Sequence, residues 1–127
     1  MLVASAGNNG YSPTSNIGYP AAFENVIAVG AIDQLNKRYV LSSVGYDLEL
    51  VAPGVDILST AIGGYRTSSG TSMASAYATG AAAIIWSADI QMDNLEIRTK
   101  LRNSARNLGD TYSYGNGLIS VKDALQY

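Results

Sequence analysis

Apolar positions in this chain alternate between short dense runs and longer stretches at helical spacing. Residues 2–6 (LVASA) are short and apolar and stop at Gly7-Asn8-Asn9-Gly10, a buried strand running into a turn. Residues 26–32 (VIAVGAI) are almost continuously apolar and β-branched, as in a central parallel strand. Residues 38–43 alternate weakly, 47–51 form another short strand stopped by Ala52-Pro53-Gly54, and 55–61 continue as strand or extended loop. Gly63-Gly64-Tyr65 reads as a turn. From Thr71 to Ala88 the spacing becomes helical: Ala74, Ala78, Ala81, Ala82 and Ile85 form a small-residue stripe that lets a sheet come close. Gly80 inside this helix costs roughly 1 kcal/mol relative to Ala, which predicts a close packing contact there. A second helix spans residues 93–105, opened by an Asp93/Glu96 capping box, with Ile97, Leu101 and Ala105 as its buried stripe. Ser120 and Asp123 cap a last short helix. No repeat or linker interrupts residues 1–127, which read as one unit of α/β class.

Composition narrows the function. Hydrophobic residues make up 47% of the 127 and charged residues 14%, a core-rich chain with little surface charge. The formal net charge of −2 argues against nucleic acid, because phosphate binding needs clustered Lys and Arg. The one basic cluster, Arg98, Lys100, Arg102 and Arg106, falls on the second helix and reads as a solvated face. With no cysteine there is no disulfide, thiolate nucleophile or Cys-ligated metal, and with no histidine there is no imidazole base. No stretch reaches the ~18 apolar residues of a membrane span. Met1 to Ala4 lacks a basic region and reads as strand, so upstream sequence is expected.

The candidate chemistry lies at the start of the Ala-rich helix, in Gly70-Thr71-Ser72-Met73-Ala74. A serine at a helix N-terminus admits two readings. It can cap the helix, or it can be a nucleophile where unpaired N–H groups and the helix dipole favour the oxyanion formed on attack. Asn8, at a strand's C-terminal end, is likewise either a turn former or a side-chain amide facing a ligand.

Gly70-Thr71-Ser72-Met73-Ala74 resembles the nucleophile motif of subtilisin-like serine proteases, and Val3-Ala4-Ser5-Ala6-Gly7-Asn8-Asn9-Gly10 resembles that family's oxyanion-hole segment. Order and separation fit. The likeness continues through Gly18-Tyr19-Pro20, Val26 to Ala31, Ala52-Pro53-Gly54 and Tyr114 to Ile119, and so covers the whole chain.

The resemblance implies the C-terminal portion of a three-layer, mostly parallel subtilisin-like α/β fold. It implies a serine endopeptidase in which Ser72 attacks the scissile carbonyl and Asn8 donates to the oxyanion. Ser5, Ala6 and Gly7 would form one wall of the substrate pocket, with Gly18 and Tyr19 near its base, and Tyr19-Pro20 would be cis. In this family the triad order is Asp, His, Ser, so a missing N-terminal half is expected to supply the Asp and His. Lys37, Lys100 and Lys122 are alternative bases in principle but lie outside any motif around Ser72. The family usually has Pro-His-Val where this chain has Ala76-Tyr77-Ala78; that histidine is not the base. Calcium is the usual cofactor, and the carbonyls of Ala21, Phe23 and Val26 match one weak cation site, with Glu49 nearby. Partners would be peptide or protein substrates. The family location is secreted or extracellular, and an intracellular one is also compatible. The competing reading is a non-catalytic half that acts only by assembling with a complementary chain.

Overall fold

The computed structural model describes residues 1–127. Three parallel strands form the central sheet in the order β1 (Leu2–Ser5), β2 (Val26–Ile32), β3 (Leu50–Pro53). Leu2 lies opposite Val26, and Val29 opposite Leu50. β2 is buried along its whole length because both faces are covered. Its side chains alternate: Ile27, Val29 and Ala31 join the core under the helices, while Ala28 and Ile32 join a second apolar cluster with Ala6, Ile17, Ala21, Leu48 and Val51. Helices on one face, sheet, and loop segments over the other face make the layers.

The helical layer is α1 (Thr71–Ala88), α2 (Asn94–Asn103), a single turn α3 (Thr111–Tyr114) and α4 (Val121–Gln126). α1 crosses all three strands of the sheet through the stripe Ala74, Ala78, Ala81, Ala82, Ile85, as expected from spacing. The close contact expected at Gly80 is absent: a Cβ built there meets nothing within 4 Å. The helix is apolar on its outer side as well, and Tyr77, Ile84 and Trp86 are exposed there. The Asp93/Glu96 capping box is formed in full, and Ser120 caps α4.

Three features differ from expectation: the strand expected at 47–51 is β3, Leu50–Pro53, because Ala52 and Pro53 pair with Ala31 and Ile32 and carry it past the expected stop. The turn expected at Gly63-Gly64-Tyr65 falls at Ile62-Gly63, and Gly64 and Tyr65 already belong to β5 (Gly64–Ser68), paired antiparallel with β4 (Ile57–Ala61) in a separate hairpin. Its exposed polar-aromatic strand carries no apolar alternation to mark it. The basic face of α2 is only partly solvated, since Arg98 pairs with the buried Glu49 at 2.6 Å; Arg106 lies beyond the end of α2, exposed, and pairs with Asp123 at 3.2 Å. No helix is long and apolar enough to cross a membrane.

Candidate active site

Parallel topology places Asn8, just beyond the C-terminal end of β1, beside the N-terminus of α1. The helix starts at Thr71 with Gly70 as its N-cap, so the cap itself supplies no side-chain hydrogen bond and Ser72 stands inside the first turn. The capping reading of Ser72 is therefore displaced. Ser72 is the second helical residue, exposed, and its N–H has no acceptor. The first N–H of the helix is satisfied from 63 residues away: Thr71 N–H donates to Asn8 Oδ1 at 3.1 Å.

Thr71 is fully buried and its hydroxyl works in both directions. It donates to Asn8 Oδ1 at 3.2 Å and accepts from Gly7 N–H at 3.3 Å. The Thr71 N–H fixes the amide's orientation, since an amide nitrogen in place of Oδ1 would set one donor against another. Asn8 Nδ2 then points away with no partner of its own. Gly70 suits the backbone there, because at φ 154° it sits in a region side chains avoid; a Cβ would make only ordinary contact with the Asn8 amide, at 3.5 Å. Gly70 N–H in turn donates to Gly54 O at 2.7 Å, tying the helix start to the Ala52-Pro53-Gly54 corner. An unpaired helix N–H and an unpaired side-chain amide beside an exposed serine hydroxyl form a donor set suited to a developing oxyanion.

The pocket residues come together in part. Ala6 N–H donates to Val29 O at 2.9 Å, and Gly18 N–H donates to Ala6 O at 3.0 Å, so the wall of Ser5, Ala6 and Gly7 meets Gly18 directly. A Cβ at Gly18 would meet only Ala6 O at 3.9 Å, which leaves open space beside the wall. Tyr19 turns outward, with its ring 4.7 Å from that of Phe23, and the Tyr19-Pro20 bond is cis. The larger hollows lie elsewhere, on the two flanks of α1: one lined by Ala82, Ala83, Trp86 and Ile97, the other by Tyr77, Gly80, Ile84 and Ile119.

No base stands near Ser72. Lys100 borders the far end of α1 with Ile85 and Ala88, about 20 Å along the helix at 1.5 Å per residue. Lys37 and Lys122 are exposed on a turn and on α4.

Ala21, Phe23, Val26 and Glu49 do line one hollow of about 200 Å³, together with Arg98. Arg98 holds both oxygens of Glu49, at 2.8 and 2.6 Å, and donates to Glu24 O at 2.9 Å. That hydrogen bond to Glu49 raises the guanidinium pKa above its ordinary value despite partial burial. The hollow thus already carries a fixed positive charge on its only buried carboxylate, and no three acidic or metal-binding side chains converge anywhere. The site implied by the resemblance draws instead on the backbone carbonyls of Ala21, Phe23 and Val26, a donor type that suits a hard cation; of these, Phe23 O accepts from Val26 N–H at 2.9 Å.

Thr71 and the buried pair Ser42 and Ser43 are absent from the sequence-based candidates. An isolated buried hydroxyl has no periodic signature, and the only hint was their place between apolar neighbours.

The subtilase family model matches residues 1–117. Subtilisin DY of Bacillus licheniformis is 48% identical over 99% of this chain and 47% of its own length. Subtilisin E of Bacillus subtilis (strain 168) is 45% identical over 99% of this chain and 34% of its own. The chain spans about half or less of the curated relatives it matches. Among solved structures, the prenylagaramide maturation protease PagA superposes with a TM-score of 0.89 at 29% identity, over 99% of this chain and 49% of that one. The self-cleaved protease domain of PatA gives 0.87 at 33% identity, over 98% of this chain and 48% of that one.

Proposed function

The chain belongs to the subtilase family, and on that premise we propose that residues 1–127, as the C-terminal part of a peptidase domain, carry the nucleophile and oxyanion half of a serine endopeptidase site. Ser72 Oγ attacks the scissile carbonyl, forming a C–O bond while its proton passes to a base. The carbonyl oxygen, now negative, is held by Asn8 Nδ2 and Ser72 N–H. Collapse of this intermediate breaks the C–N bond, and the departing amine takes the proton; water then hydrolyses the acyl-enzyme by the same route. Ser5 to Gly7 and Gly18 bind the substrate side chain before the scissile bond, with Tyr19 at the rim. The observation that supports this reading is the Thr71 N–H to Asn8 Oδ1 bond of 3.1 Å, which pins the Asn8 amide beside the helix end bearing Ser72 and leaves its nitrogen without a partner.

The base and the acid that orients it lie outside these residues, because the chain has no histidine and no lysine beside Ser72. The partner is accordingly an N-terminal half that adds to the free edge of β1 and covers the outer face of α1. Alone, the 127 residues are inactive on peptides. The proposed location is extracellular, as implied for the family.

A fluorophosphonate probe tests this on the complete protein and on the 127-residue chain. Rapid labelling of Ser72 in the complete protein, lost in Ser72→Ala and absent from the chain alone, is the expected result. Ordinary peptide turnover by the chain alone, abolished by Ser72→Ala, would overturn the need for an outside base. A complete protein that neither labels nor hydrolyses peptides would leave the second reading, a non-catalytic assembling half, which the exposed Leu2 on the edge strand favours.

A further inference from the structure

Two buried hydroxyls stand outside the chemistry assigned above. Ser42 and Ser43 are 0% and 1% exposed, and a hydroxyl taken out of water is costly unless it finds a hydrogen bond. Ser42 Oγ accepts from Ala31 N–H at 3.0 Å and ties its turn to β2. Ser43 faces the other way, toward the loop that carries Asn8. Its N–H donates to Gly7 O at 2.8 Å, and its Oγ accepts from Asn9 N–H at 3.2 Å. Gly10 N–H donates to Leu41 O at 2.9 Å.

Residues 7, 9 and 10 therefore all hang on residues 41–43. Asn8 alone is left over, held by its side-chain Oδ1 at Thr71. The approach is close enough to require glycine at both ends of the loop: a Cβ at Gly7 would sit 2.9 Å from Ser43 Oγ, and one at Gly10 would collide with Ser42 O. The template is itself stiffened, because Arg38 Nη1 donates to Ser42 O at 2.6 Å and Tyr39 O at 3.1 Å.

We propose that Ser43 is a positioning residue for Asn8: its backbone and buried hydroxyl grip the residues on either side of Asn8, so that the Asn8 amide is presented to the N-terminus of α1 at a fixed distance. The inference rests on the reading of Asn8 as an oxyanion donor. A donor of this kind acts only within about 2.7–3.1 Å of the oxyanion, and loops without such anchors wander by more than that tolerance. Thr71 sets the rotation of the amide, and Ser43 sets where the loop puts it.

The test is a double-mutant cycle in the complete protease, since a serine that merely supports the fold would act independently of Asn8. Ser43→Ala is expected to lower kcat about tenfold, with KM within about twofold. In an Asn8→Ala background the same substitution should lower kcat less than about twofold. Equal losses in both backgrounds, or an unchanged kcat in the single variant, would overturn the proposal. Ser43→Cys, nearly isosteric with a weaker acceptor, serves in the same cycle if Ser43→Ala does not fold. Hydrogen exchange separates failure of the positioning from failure of the protease reading. In Ser72→Ala protein, Ser43→Ala should speed exchange of the Asn9 amide about tenfold or more; an unchanged Asn9 rate overturns the grip whether or not the protein cleaves peptides.

Discussion

The two flanks of the central sheet are finished to different degrees. Beyond β3, the chain closes on itself: Val51 N–H donates to Gly117 O at 2.9 Å, Ile119 N–H donates to Val51 O at 3.1 Å, and Leu118 bridges back to Arg106. Glu49, 8% exposed, is held by Arg98 through its carboxylate and by Asn116 through its carbonyl. Beyond β1 there is no strand; Leu2 is 63% exposed and the nearby outer face of α1 is apolar and open. Edge strands in native proteins are usually short, charged or covered; β1 has four residues and is neither charged nor covered. The candidate site sits between the flanks. Asn8 continues from the open strand, yet every bond that fixes it runs to Thr71 or residues 41–43 on the closed side. The Asn8 side chain is thus held from the closed flank although it follows the open strand.

The largest expected effect is on local opening in the 127-residue chain. Alternate amides of residues 2–5 face outward and should exchange on the order of 10³-fold faster than those of residues 26–32. Light scattering should show self-association through the same edge. A monodisperse monomer with both strands equally protected would dissolve the contrast.

In the complete protein, Asn8→Leu should lower kcat about 10²- to 10³-fold with KM little changed, a magnitude measured for such donors in this same family. A raised KM at constant kcat would make Asn8 a binding or turn residue.

On the closed flank, Arg98→Ala leaves the Glu49 carboxylate only the longer pair to Arg102 at 3.9 Å and should cost about 3 kcal/mol in urea unfolding. Turnover per folded molecule should hold, because no bond to Asn8 passes through this pair. Loss of kcat with unchanged stability would show that the flank reaches the site.

The smallest effect concerns acid. The Ser120 hydroxyl, and after it Arg106, hold the Asp123 carboxyl below its ordinary range. A depressed folded-state pKa contributes stability above the unfolded carboxylate pKa of about 4, lost as pH falls through the lower folded value. Asp123→Asn should flatten the stability profile only below about pH 4, a slight change because the carboxylate is exposed. An NMR titration of Asp123 at or above the ordinary range would contradict it.

Much of this was legible in the residues. The unbroken apolar run of residues 26–32 and the helical spacing of the Ala-rich stripe located β2 and α1 with correct bounds, because burial writes itself into composition. Local chemistry gave the Asp93 and Ser120 caps, which need only neighbours three residues away. The motifs around Asn8 and Ser72 identified the family and the candidate donor and nucleophile.

Tertiary structure alone decided the rest. β5 is exposed and polar, so no pattern announced it. Gly80 implied a contact that these 127 residues do not make, since propensity records a cost without naming what offsets it. Arg98 read as solvent-facing until Glu49, 49 residues distant, came within 2.6 Å of it. Whether Ser72 capped its helix or stood free depended on a donor–acceptor pair 63 residues apart, Thr71 and Asn8. Periodicity reports which face of an element is buried, whereas a hydrogen bond between segments depends on where the fold brings two polar atoms. The sequence by itself determined the layers and the family; only the packed chain determined which hydroxyls and amides were consumed by structure and which remained free to act.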